Sequence, residues 1–257
     1  MLRRGQVAVR VARAVSSAGP GDGFEVVYVG PDGVRHRGPL TLCWDVPFER
    51  AGAVRRFTSH RGQRSFSGLW YFASSDDHVG YESWLERDRL MVLDADPEVV
   101  AVASQPFWLC WDDDRPLRHA PDFFVRRRDG TALVLDVRAD DRIDPGDAVK
   151  FAASARACEA VGWRYRRVGA LNPVHAANLR WLAGYRHGRY HQLERAGQVR
   201  QAFARPTALM EGVTAVGDPL GVLPVLFHLL WRRELETDLR SAPLGESSVV
   251  WVAGGVR

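Results

Sequence analysis

The stretch His119–Asp141, HAPDFFVRRRDGTALVLDVRADD, decides how the chain is read. A Pro-Asp pair opens an apolar run, Asp129-Gly130 supplies a tight turn, and a second apolar run closes on Asp136, Val137 and Arg138. Two β-prone runs around Asp-Gly predict an antiparallel hairpin. Paired in that way, Asp122 at the start of one strand and Asp136 near the end of the next can face one site. Each also has a plain structural reading: Asp122 as a turn acid after proline, and Asp136 with Arg138 as a solvated ion pair on one strand face.

Working outward, a helix is predicted to start near Tyr81. Leu85, Leu90 and Leu93 recur at helical spacing, and the turn of Asp94 to Pro97 ends it. Its carboxylates are Glu82, Glu86 and Asp88, and Glu86 reads equally well as part of a wet helix face. The runs EVVAVAS and FWLCW that follow are strand-like. After the hairpin, Asp144-Pro145 opens a helix on which Phe151, Ala155, Cys158 and Val161 share a face, and Gly162 stops it. WRYRRVG reads as one more strand, and its arginines as phosphate contacts or exposed charge. Helix, strands, helix, strand is the order of a compact α/β core.

Upstream, residues 24–42 hold two alternating runs around Pro31-Asp32-Gly33, a second hairpin signal. Residues 53–72 interleave arginines with aromatics. Arg55, Arg56, Arg61 and Arg64 there can follow a DNA backbone with Phe57, Phe66 and Trp70 packed beneath, or belong to a surface loop. Past Asn172 the text turns helical, with candidates in PVHAANLRWLAGYRHGRY, LERAGQVRQAFA, TALMEGVTAV and LGVLPVLFHLLWRR. Two short strands, ELETDL and SSVVWV, close the chain. Helices followed by a two-stranded ribbon suggest a winged-helix module. The expected division is 1–80 as hairpin and basic-aromatic arm, 81–170 as core, and 171–257 as C-terminal domain.

Bulk composition narrows the classes. The chain has 257 residues with 35 basic and 31 acidic, a net charge of +4 and a pI near 9.2, which permits nucleic-acid binding. Lys150 is the only lysine, so nearly every fixed cation is an arginine fork suited to phosphate. Cys43, Cys110 and Cys158 are far apart with no CxxC spacing, which argues against a disulfide framework or zinc site. The basic start has no sustained apolar core, and the longest apolar run, GVLPVLFHLLW, is too short to span a bilayer. The expectation is a cytoplasmic protein without membrane contact.

Cutting DNA requires an activated water, stabilisation of an anionic phosphorus and help for the leaving oxygen, and magnesium supplies all three where carboxylates hold it beside the phosphate. Magnesium takes hard oxygen ligands and keeps several waters, so two or three carboxylates suffice. Asp122, Asp136, the backbone carbonyl of Val137 and one helical carboxylate are the candidate set.

Residues Val54 to Gly169 resemble the TnsA-like endonuclease subunits of heteromeric transposases, members of the PD-(D/E)xK, restriction-endonuclease-like superfamily. The likeness starts in VRRFTSHRGQRSFSGLWYF and continues through YESWLERDRLMVLDADPEVVAVASQPF, where SWLE is similar to the family's Ser-x-Leu-Glu helix. APDFFV and VLDVR follow. The resemblance implies Glu86, Asp122 and Asp136 as catalytic, metal-holding acids. It implies a restriction-endonuclease-like core, a mixed sheet flanked by helices, with a winged-helix-like C-terminal module. It further implies magnesium, with manganese able to substitute, double-stranded DNA as substrate, and a DDE-type transposase and an AAA+ regulator as partners. Arg138 departs from the family's lysine. An arginine cannot act as a general base, but it can steady a phosphate. Lys150 is a candidate migrated lysine or a solvated one. Two alternatives stand beside this reading: a stand-alone nuclease in defence or repair, and a catalytically silent assembly or DNA-binding subunit. His78, His119, His187 and His191 invite a metal reading, and of these His187 and His191, four apart on a possible helix, could chelate zinc or form a polar helix face. Trp231 and Trp251 read as core of the C-terminal domain.

Overall fold

The computed structural model describes residues 10–11, 23–55, 66–113 and 115–254. Arg56, Arg61 and Arg64 lie outside them. Strands β1 (Arg10–Val11), β2 (Glu25–Val29) and β3 (Arg35–Pro39) precede helix α1 (Leu40–Cys43). Strands β4 (Gly68–Phe72) and β5 (Asp77–Tyr81) pair with each other and lead into helix α2 (Trp84–Asp94). Then come β6 (Val99–Ser104), β7 (Phe107–Asp113), β8 (Arg115–His119), β9 (Phe123–Arg127), β10 (Ala132–Val137), α3 (Pro145–Ala160) and β11 (Arg164–Val168). The mixed α/β class expected from the sequence is present. The described residues of Met1–Trp70, His78–Glu86 and Glu98–Ala170 form one compact unit. Those of Tyr71–Asp77, Arg87–Pro97 and Leu171–Arg257 form a second.

The first unit carries two sheets. One has the order β1-β3-β2-β7-β8, and the hairpin around Asp32-Gly33 is its β2–β3 pair. The other has the order β11-β10-β9-β6, with β10 and β11 parallel across α3 and the remaining pairs antiparallel. The hairpin predicted from Asp129-Gly130 is β9–β10, in which Phe123 lies opposite Leu135 and Val125 opposite Leu133. Gly130 turns it at φ 81°, a conformation that costs glycine nothing. The Asp129 carboxylate holds the turn by accepting from the Thr131 amide at 3.0 Å. Phe48, Phe107, Phe124 and Trp163 cluster in the core, edge to face except for the tilted Phe107–Trp163 pair, with centroids such as Phe48–Phe107 at 4.9 Å and Phe124–Trp163 at 5.2 Å.

The face of α3 differs from the expected one. Ala153, Ser154, Ala157 and Cys158 are buried, so of the four anticipated residues only Cys158 is. Small side chains let the helix lie close to its neighbours, and Phe151 is left on the flank, 6.3 Å from the His119 ring. Asp144 caps the helix by accepting from the Asp147 amide, as the Asp-Pro signal implies.

In the second unit the elements are α4 (Pro173–Leu182), α5 (Leu193–Ala202), β12 (Thr207–Ala208), α6 (Leu209–Val216), α7 (Pro219–Trp231), β13 (Leu235–Thr237) and β14 (Val249–Val252). The helix expected to run to Tyr190 stops at Leu182 and breaks into two short 3-10 turns, because Gly184 and Gly188 do not sustain it. His187 and His191 therefore share no helix face. His187 stacks on Tyr71, and His191 tilts against His228. Strands β12, β14 and β13 form an antiparallel sheet in that order. Buried Asn178 holds the ribbon's loop: its amide donates to Leu239 and Ala242 carbonyls and its Oδ1 accepts from the Leu244 amide at 2.9 Å. Trp231 is core, and Trp251 is half-buried with its indole N–H on Glu236. Among the described residues no helix is long and apolar enough to cross a membrane.

Candidate active site

The hairpin register sets the site. With Phe123 opposite Leu135, one further step puts Asp122 across from Asp136. The Val137 amide donates to Asp122 Oδ2 at 2.7 Å, so Val137 meets Asp122 through its N–H. Asp136 is 1% exposed. Its Oδ1 lies 2.8 Å from His119 Nε2, and its Oδ2 accepts from the Tyr165 hydroxyl at 2.8 Å. A carboxylate this buried is tolerable because both oxygens are bonded. The solvated pair of Asp136 with Arg138 is thus not what forms.

Glu86 comes from the first turn of α2 and is buried, not on a wet face. Ser83 Oγ accepts from the Glu86 amide at 3.2 Å and donates to Glu86 Oε1 at 2.8 Å. Glu86 Oε2 accepts from the Glu82 amide at 2.7 Å. This is a variant of the reciprocal box that closes helix starts, and it fixes the carboxylate's rotamer.

The three acids are electrostatically joined. Burial pushes the Asp122 carboxyl well above the usual carboxylate range, and the charges of Glu86 and Asp136 push it further. Burial also raises Glu86, against its hydrogen bonds from Glu82 and Ser83. Arg55 opposes both shifts. Burial and Asp136 raise the Tyr165 phenol, so it stays a proton donor, and they lift the Cys158 thiol to about 12.

The arginines divide. Arg55, read as part of a DNA-tracking arm, holds Glu82 with two bonds of 2.9 and 2.5 Å. Glu82 also accepts from Gln105 Nε2 at 3.0 Å. Arg138 is tethered through Nε alone, to the Arg142 carbonyl at 3.1 Å and near Asp147 Oδ2 at 3.0 Å. Its two Nη groups have no protein partner among the described residues, and its side chain is 45% exposed. Lys150 donates to Asp147 Oδ1 at 3.3 Å. Asp88 is gripped by Arg180 within the second unit and is not one of the site's acids.

Among the described residues, no group of three or more His, Cys, Asp or Glu side chains is gathered tightly enough to hold a metal ion. The acids fit a hard divalent cation in donor type and in the repulsion that Glu86 and Asp136 exert on Asp122, but they do not form a ready-made cage. Sequence reasoning missed Tyr165 and gave His119 no role beside Asp136. The signal for Tyr165 lay in the alternation Arg164-Tyr165-Arg166, exposed, half-buried, exposed, which turns the phenol to the face opposite the arginines. No protein-family model matches the chain, and a search of curated proteins finds none similar to it.

Proposed function

We propose that the chain is a cytoplasmic, metal-dependent DNA endonuclease with a restriction-endonuclease-like core, acting as the TnsA-like subunit of a heteromeric transposase beside a DDE-type transposase and an AAA+ regulator. The observation that carries the nuclease reading is that Glu86, from the start of α2, and Asp136, from β10, both act by charge on Asp122 just before β9, whose carboxyl is raised by burial first and then by those two charges. An anionic site in which, among the strongest influences on Asp122, only the Val137 amide and then Arg55 oppose the rise is one that a divalent cation neutralises. Magnesium or manganese held there supplies a water of lowered pKa and stabilises charge on the phosphate. Glu86, Asp122 and Asp136 would hold it. His119 and Tyr165 fix the orientation of Asp136, and Val137 that of Asp122. Arg138, with both Nη groups free of protein partners among the described residues, steadies the phosphate as a fixed cation. The transposase partners rest on the sequence resemblance.

In the second unit, α5, β12, α6 and α7 followed by the β13–β14 ribbon, with β12 joining that ribbon, support a winged-helix module that contacts DNA or a partner protein. A second reading has a specific observation in its favour. Both oxygens of Asp136 and both of Glu86 already have protein donors, as in a catalytically silent subunit. Nicking of supercoiled plasmid separates the two. Wild type is expected to nick with magnesium or manganese, bind without turnover in calcium, and lose cleavage as Asp122→Ala while keeping its circular dichroism. No nicking by wild type with its partner proteins supplied would establish the silent subunit.

A further inference from the structure

Two short connections carry the chain between the sheets of the first unit. Gln105–Pro106 leads from β6 to β7, and Ala120–Asp122 leads from β8 to β9. They are tied to each other, since the Gln105 amide donates to the Asp122 carbonyl at 2.9 Å. The Gln105 carbonyl accepts from the Val54 amide at 2.9 Å, which fixes the residue next to Arg55. Its side chain donates from Nε2 to Glu82 Oε2 at 3.0 Å. Glu82 in turn presents its amide to Glu86. One residue therefore bonds to the backbone of one site acid and to the residue whose amide holds another.

Gln105 does this under two penalties. It has φ 48°, the left-handed region in which a glycine or asparagine is more comfortable. It is 1% exposed, and its Oε1 has no hydrogen-bond partner among the described residues. Turning the amide over does not help, because the oxygen would then face the Glu82 carboxylate. A residue that is strained and half-satisfied in a buried position persists where its neighbours over-determine it, and such residues cluster at functional sites.

We propose that Gln105 is a positioning residue of the acidic site: with Arg55 and Glu82 it forms a latch that fixes Glu86 and the backbone of Asp122 relative to each other, so that metal affinity depends on it. The inference rests on the nuclease reading and deepens it. Arg55 and the Gln105 amide together neutralise and orient Glu82, so that a fourth carboxylate can stand beside Glu86 and lend it an amide. Glycine at 105 keeps the backbone bonds and relieves the left-handed strain, yet it removes the reach to Glu82.

The test sets stability against metal affinity in the full chain. Gln105→Gly is expected to melt at or above the wild-type temperature and to bind manganese about 10-fold or more weaker, the usual scale for losing a residue that orients a ligand. Glu82→Gln, of the same shape, is expected to show a comparable loss, and the double variant little further loss. Asp122→Asn is the control for the underlying reading. If wild type and Asp122→Asn bind manganese alike, or neither binds, the site reading fails and the latch with it. If Asp122→Asn loses binding while Gln105→Gly and Glu82→Gln keep it, the latch alone is overturned. A Gln105→Gly variant that melts several degrees lower with unchanged affinity would show a packing role instead.

Discussion

Asp122 concentrates the account in one side chain. Burial and two neighbouring carboxylates raise its pKa, and burial raises Glu86 as well. Between the ordinary carboxylate pKa and the raised one, the folded state binds more protons than the unfolded state. Stability therefore falls as pH rises through that window, the reverse of a salt-bridged acid. Asp122→Asn is expected to raise the melting temperature at pH 7.5 by a few degrees and to flatten this dependence while abolishing cleavage. Lower stability at neutral pH would mean that the Val137 bond outweighs the repulsion. Arg138 gives a second series under single-turnover cleavage. Arg138→Lys is expected to keep much of the activity, Arg138→Ala to lose on the order of 100-fold, and Lys150→Ala to change little. If Arg138→Ala cuts like wild type and Lys150→Ala does not, the cation is Lys150. The hairpin spacing made the facing of Asp122 and Asp136 legible, while the choice of Glu86 among Glu82, Glu86 and Asp88 came from the family resemblance. Tyr165, His119 and Gln105 were not legible, since their roles arise from contacts across 15 to 30 residues that no local pattern encodes.

Among elements, punctuation was the part most readable in sequence. Asp129-Gly130 and Asp144-Pro145 each specify a backbone conformation, and the β9–β10 turn and the start of α3 follow them. Faces and helix ends were less so. On α3 the bulky residues suggested one stripe, but the packed stripe is the one of small residues. The glycines at 184 and 188 ended α4 against an otherwise helical composition. Small residues also decide packing in the second unit. A Cβ on Gly212 of α6 would lie 2.3 Å from the ring of Phe203, which is fully buried. Gly212→Ala is expected to cost about 1–3 kcal/mol by urea unfolding, the usual scale of overpacking. A change below about 0.5 kcal/mol would mean that the ring moves freely, as a surface substitution would allow.

At the scale of the whole chain, the two compact units are not consecutive in sequence. Arg87–Pro97 belongs with Leu171–Arg257, although Glu86 one residue earlier belongs to the first unit. No change of composition marks that crossing, so the sequence suggested a simple boundary near residue 170. The consequence is testable by truncation. A fragment ending at Ala170 removes the rest of the unit to which Arg87–Pro97 belongs and leaves Asp88, 7% exposed, without Arg180. Hydrogen exchange should then show the amides of α2 beyond Glu86 unprotected, and full protection there would contradict the division. The claim on which the rest depends is that Glu86, Asp122 and Asp136 form a metal site in the intact chain. Manganese titration of the full-length protein followed by electron paramagnetic resonance measures this directly. The account predicts saturable, stoichiometric binding by wild type that is lost in a folded Asp122→Asn variant, and no binding by wild type, or equal binding by both, would contradict it.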